Sequence, residues 1–127
     1  MHKPPPLLRL GDVPGGPEAG TLIARLADLP THGGKDVLFK KDELRVNVFV
    51  QRWQNDVFVY ENCCPHAHTP LNLANDRFLN LSENALICRT HGALFTIEDG
   101  KCIGGPCQGQ YLRAVDFEVK SGAIYSK

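Results

Sequence analysis

Two short segments carry the residue types capable of chemistry: Cys64-Pro65-His66 and Cys88-Arg89-Thr90-His91-Gly92, with 21 residues between His66 and Cys88. Each offers one thiolate and one imidazole. Two thiolates and two imidazoles bind one zinc ion tetrahedrally, or they hold the two irons of a [2Fe–2S] cluster, two Cys on one iron and two His on the other. The first arrangement is a metal-stapled binding module, the second an electron carrier. The bland alternative is coincidence between core cysteines and surface histidines. A lone Cys-x-His deserves that reading, but two mixed loops in a chain with five cysteines and five histidines do not. Structural zinc sites favour Cys-x2-4-Cys and His-x3-5-His pairs. The one-residue gap between Cys64 and His66 is tight for two ligands of one tetrahedral ion, and easy where they bind two different irons.

Positioning four such ligands calls for strand ends that converge, and the sequence supplies short strands. Arg45–Gln51 alternates, with Val46, Val48 and Val50 on one side. Val57–Tyr60 follows the polar turn Gln54-Asn55-Asp56, a hairpin signal. Ala85–Cys88 and Leu94–Ile97 are two further apolar runs, and Glu98-Asp99-Gly100-Lys101 closes the second with strong turn chemistry. Val115, Phe117 and Val119 alternate with Asp116, Glu118 and Lys120 as in a half-buried strand. Ser121-Gly122 then turns into Ala123–Ser126. Strands at this spacing, separated by Gly- and Asn-rich turns, predict a small all-β antiparallel sandwich or barrel. Ala19–Leu29 fits a helical periodicity, and equally a strand and loop ending at Pro30. On this reading both Cys/His segments fall at strand ends: Cys64 after the strand ending at Tyr60, Cys88 at the end of the run from Ala85.

The 127 residues suit one domain with its own core, and 43% hydrophobic with 22% charged residues is ordinary for a globular protein. The formal net charge is zero, so electrostatics give no reason to expect nucleic acid or an anionic membrane as a partner. No apolar run approaches a spanning helix, and the N-terminus lacks the apolar stretch of a signal peptide. Five cysteines are an odd number, which argues against a secreted disulfide framework. A cytoplasmic location is the expectation. Residues 1–20 hold five of the nine prolines and four of the twelve glycines and read as an N-terminal extension, ordered only if it docks, with Leu7–Leu10 able to pair as an edge strand.

Cys64-Pro65-His66 with Pro70-Leu71 shortly after, then Cys88-x-x-His91-Gly92-x-x-Phe95, then Gly104-Gly105-Pro106, together resemble the Rieske iron–sulfur domain over about residues 21–127. The resemblance implies a three-sheet antiparallel β fold with a cluster-binding subdomain at about 62–107, and one [2Fe–2S] cluster per chain. Cys64 and Cys88 would bind the buried iron, and His66 and His91 the outer iron that accepts the electron. Gly104-Gly105-Pro106 matches the family's proline loop over the cluster. The 21-residue gap is longer than the family's commonest, with the excess expected in Asn72–Asn84, and Thr96 stands where the family usually has Asp.

High-potential relatives place hydroxyls two and four residues after the second ligand His and a disulfide cysteine between the second ligand pair. Here those positions are Ala93, Phe95 and Thr90. The three losses predict a potential near the low end of the Rieske range, about −150 mV or below. The resemblance therefore implies a ferredoxin-like carrier between redox proteins, a reductase and an oxygenase, with no substrate site of its own. The alternatives are a small subunit of a larger reductase, similar to that of NADH-dependent nitrite reductase, and a structural zinc or interaction module. His68 reads as a solvent-facing loop residue, Cys63 as a small packed side chain, and Trp53 as a sheet-packing aromatic. Lys35, Lys40 and Lys41 read as a solvated face. Cys102 and Cys107, flanking the proline loop, read as thiols, with a disulfide across the turn as the alternative.

Overall fold

The protein is described by a computed structural model covering residues 3–65, 68–72, 75–90 and 92–127. Among the described residues nine strands follow in order: β1 (Leu22–Arg25), β2 (Gly34–Lys41), β3 (Leu44–Trp53), β4 (Asp56–Glu61), β5 (Leu86–Ile87), β6 (Leu94–Phe95), β7 (Cys102–Gly104), β8 (Phe117–Lys120) and β9 (Ala123–Ser126). They form three antiparallel three-stranded sheets, ordered β1-β9-β8, β2-β3-β4 and β5-β6-β7. The expected all-β antiparallel architecture is therefore what the chain adopts. Among the described residues no helix is long and apolar enough to cross a membrane. The ambiguous stretch from Ala19 resolves into β1 and a 3-10 turn at Leu26–Asp28.

β3 organises the molecule. Val46, Val48 and Val50 are buried on one face, with Ile23, Leu29, Val59, Val115 and Ile124, in a base core. Phe49, on the other face, is equally buried in a second core with Tyr60, Phe78, Leu86 and Phe95. Its ring stacks on Phe78 with centroids 4.3 Å apart. The alternation of valines reveals only the first face. The second is buried because the segment from Asn62 to Leu112 folds back over the sheet, which no local pattern reports. Conversely, Val119 continues the alternation of Val115 and Phe117 but is 46% exposed, because β8 is an edge strand that outruns the base core.

β2 adds a strand that the sequence reading did not resolve. Its charged and apolar residues alternate poorly, and its ladder to β3 runs from Gly34↔Gln51 to Lys41↔Leu44. The N-terminal segment docks on the base: Leu8 and Leu10 are buried, and Leu8 pairs in parallel with Val115. Residues 113–116 tie this segment to β4, since Glu61 N donates to Arg113 O (2.8 Å) and Val115 N to Val59 O (2.9 Å), while Asp116 N donates to Leu8 O (2.9 Å).

Candidate metal centre

The segments after Cys64 and Cys88 are the same loop built twice. Cys64 N donates to Thr69 O and His68 N to Cys64 O; Cys88 N donates to Ala93 O and Gly92 N to Cys88 O, all at 2.8 Å. The fourth residue after each cysteine is left-handed, His68 at φ +56° and Gly92 at +73°. Gly92 has no Cβ to oppose that conformation, whereas His68 holds it at a cost of order 1 kcal/mol. His68 is exposed, as its sequence reading held, and its place in the loop is that of a turn-closing residue. The repeat brings Cys64 and Cys88 to equivalent positions, both fully buried in one core cluster. His66 and His91 lie outside the described residues; along the chain, each falls between its cysteine and the residue that closes the loop.

The two loops are fastened to each other and to the sheet. Arg89 N, beside Cys88, donates to Leu71 O (2.8 Å), and Leu71 N donates to Asn62 Oδ1 (2.8 Å). Asn62 Nδ2 donates to Asn72 Oδ1 (2.9 Å), and Asn72 Nδ2 to Asp36 Oδ2 on β2 (3.1 Å). Asn47 Nδ2 completes the set on Asp36 Oδ1. This brace of Asp36, Asn47, Asn62 and Asn72 was missed in the sequence. The one available signal was the density of Asn around the first loop.

The long excursion before β5 wraps back onto β3. Trp53 Nε1 donates to Glu83 O (3.0 Å), and the Trp53 ring stacks on His32, which pairs with Glu83 at 3.3 Å. Trp53 thus packs on the sheet, as read. Arg89 reaches the same excursion through Leu79 O (3.1 Å).

Gly104-Gly105-Pro106 lies against the second loop. Gly105 has φ +97°, and a Cβ there would sit 2.9 Å from Ala93 Cα, so only glycine allows this approach. Ala93 and Phe95 are fully buried and offer no hydroxyl, while Ile103 is 49% exposed at the loop's edge. Tyr60 Oη donates to Ile97 O (2.6 Å) beneath the site, and burial, with Asp99 and Glu98, pushes its phenol above the usual range. Cys63 corrects its sequence reading: it is only half-buried and belongs to neither core, because Asn62 takes the inward position. Burial, then Glu61 and Cys64, raises its thiol.

These donors fit a binuclear iron–sulfur group. Two buried thiols at equivalent loop positions would supply one iron's ligands, and each loop carries one histidine in sequence. Thr69 Oγ1 adds an independent sign: it is buried with no hydrogen-bond partner among the described residues. It occupies in the first loop the position of Ala93 in the second. A buried hydroxyl without an acceptor is costly, and a sulfur held between the loops would provide one.

The family model for the Rieske [2Fe-2S] domain matches residues 21–121. Among solved structures, the ferredoxin of carbazole 1,9a-dioxygenase from Nocardioides aromaticivorans IC177 superposes with a TM-score of 0.64 at 23% identity, over 86% of this chain and 97% of that one. The Sphingomonas yanoikuyae B1 ferredoxin gives 0.61 at 19% identity, over 85% and 97%. A chain from the complex of reduced oxygenase and oxidized ferredoxin in carbazole 1,9a-dioxygenase gives 0.64 at 20% identity, over 83% and 89%. At these identities the likeness is one of fold. No curated protein matches the sequence. With the matched residues spanning both cysteine loops and the proline loop, the chain belongs to the Rieske [2Fe–2S] domain family.

Proposed function

We propose that this protein is a one-electron carrier in which Cys64, His66, Cys88 and His91 hold the [2Fe–2S] cluster. The observation that carries the reading is the duplicated loop, which sets two buried cysteines in equivalent frames, each loop carrying one histidine in sequence. When bound, the cluster supplies reversible one-electron chemistry at a site whose potential follows charge, exposure and hydrogen bonds to sulfur. The chain's own residues bury the sulfurs, brace the loops, and cover the second loop with Gly104-Gly105-Pro106. With Ala93 and Phe95 unable to donate, Thr69 is the buried hydroxyl left to do so, and a low potential of about −150 mV or below follows. Residues 1–20 form an N-terminal extension, 21–127 the Rieske domain, and about 62–107 its cluster-binding part.

The partners in this reading are a reductase that loads the electron and an oxygenase that takes it, in the cytoplasm. The ferredoxin and oxygenase–ferredoxin structures that share the fold support it. The test is stepwise: voltammetry of the isolated protein, then stopped-flow mixing of the reduced protein with an oxygenase of this class. A reversible one-electron wave near −150 mV and oxidation of the protein within the oxygenase turnover time are expected. A potential above zero would contradict the low-potential reading, and stability only within a large reductase complex would favour the subunit reading instead.

A further inference from the structure

Cys102 and Cys107 flank the loop that lies against the second cysteine loop, and their Sγ atoms are 2.9 Å apart. Both residues are buried, at 1% and 2% exposure, and no disulfide joins them. Buried thiols commonly pack as small apolar side chains, but that role gives two sulfurs no reason to converge this closely. The backbone fixes the convergence from both sides. Cys102 N donates to Gln110 O (2.7 Å), Gly109 N to Cys102 O (3.0 Å), and Gln110 N to Cys107 O (2.9 Å). Cys107 Sγ donates to Cys102 Sγ, and Cys102 Sγ to Gly104 O (3.2 Å). A disulfide needs S–S of about 2.05 Å, so the pair must close by less than about 1 Å.

We propose that Cys102 and Cys107 form a second redox site, a dithiol that converts to a disulfide stapling the loop Ile103-Gly104-Gly105-Pro106. The oxidant class is a small-molecule disulfide such as oxidised glutathione. One cysteine thiolate attacks it, forming a mixed disulfide and releasing one glutathione thiol. The second cysteine attacks the mixed sulfur, the Cys102–Cys107 bond forms, and the second glutathione leaves. Two electrons pass from the pair to the oxidant, and the two cysteine protons end on the two glutathione thiols. Both sulfurs are buried in the closed loop, so attack waits on loop opening. Oxidation then fixes the cover over the second cysteine loop, where Gly105 meets Ala93. None of this depends on which metal the neighbouring loops hold.

The test uses the whole protein as isolated, with its metal, in anaerobic glutathione buffers from fully reduced to fully oxidised. Samples are acid-quenched, denatured, alkylated with iodoacetamide and mapped by mass spectrometry, with iron measured in parallel. The expected result is loss of alkylation at two of the five cysteines, Cys102 and Cys107, with iron retained. Cys102→Ser and Cys107→Ser should each abolish this step and Cys63→Ser should leave it unchanged; if the serine variants do not fold, the wild-type map decides. Alkylation of all five cysteines in fully oxidised buffer, a lasting glutathione adduct, or a disulfide to Cys63, Cys64 or Cys88 would each overturn the proposal.

Discussion

Thr69 and Tyr60 are two buried polar groups in opposite circumstances, one without a partner among the described residues and one bonded to Ile97 O. Thr69 Oγ1 is buried without a partner among the described residues, in the first-loop position that Ala93 fills in the second. Thr69→Val should lower the reduction potential by roughly 40 mV, the one-electron equivalent of about 1 kcal/mol for a hydrogen bond to sulfur, and Thr69→Ser should restore most of it. Equal potentials in all three proteins would remove Thr69 from the centre. Tyr60 is a stability element with a pH signature. Its phenol is raised in the fold, so the neutral form is the favoured one. Its contribution is fully present below the unfolded tyrosine value of about 10 and is lost as pH rises beyond it. Tyr60→Phe should cost about 1–2 kcal/mol at pH 7, by leaving Ile97 O without its donor. It should also flatten the alkaline fall in stability, read as urea midpoints between pH 8 and 11; parallel curves for both proteins would contradict this. The two Cys/His segments were legible at this scale because residue type and spacing are written locally in the chain. Thr69 was not read, although it stands five residues after Cys64 as Ala93 does after Cys88, because the equivalence emerges only when both loops close on the same hydrogen bonds.

At the scale of elements, the Asp36–Asn62–Asn72 brace carries the position of β2 into the backbone of the first loop, and Arg89 N carries it on to the second. Asn62→Ala leaves Leu71 N without its buried acceptor and should cost about 1–3 kcal/mol. Because the loop loses its fastening, iron release to a chelator should accelerate severalfold under conditions where the protein remains folded. Unchanged release with lowered stability would make the brace a general stabiliser only. β3, with its apolar alternation, and β4, a short apolar run after a polar turn, were legible, and so were the turns at Gln54-Asn55 and Ser121-Gly122, where backbone chemistry is local. β2 was not, because its pairing to β3 is set by an eight-residue ladder rather than by its own pattern. The brace was not either, because it joins residues from β2, β3 and both ends of the first loop.

For the whole molecule, the division of labour runs through β3, with one face in the base core and the other in the core that contains Cys64 and Cys88. Two substitutions one residue apart should therefore separate stability from the site. Val48→Ala should lower stability by about 2 kcal/mol with normal iron content. Phe49→Ala should cost about 3–5 kcal/mol and reduce iron content after purification, since it opens a cavity against Tyr60 and Phe78. Equal iron in both would dissolve the distinction. The all-β class was legible from strand spacing, but the second core was not, since the segment from Asn62 to Leu112, 51 residues long, must fold back to bury Phe49. The central claim is that the duplicated loops hold a histidine-ligated [2Fe–2S] cluster. The most direct measurement is an EPR spectrum of the dithionite-reduced protein, with iron, sulfide and zinc determined on the same sample. A rhombic signal of low average g, with two irons and two sulfides per chain, is the predicted result. A silent sample holding one zinc ion per chain would contradict it.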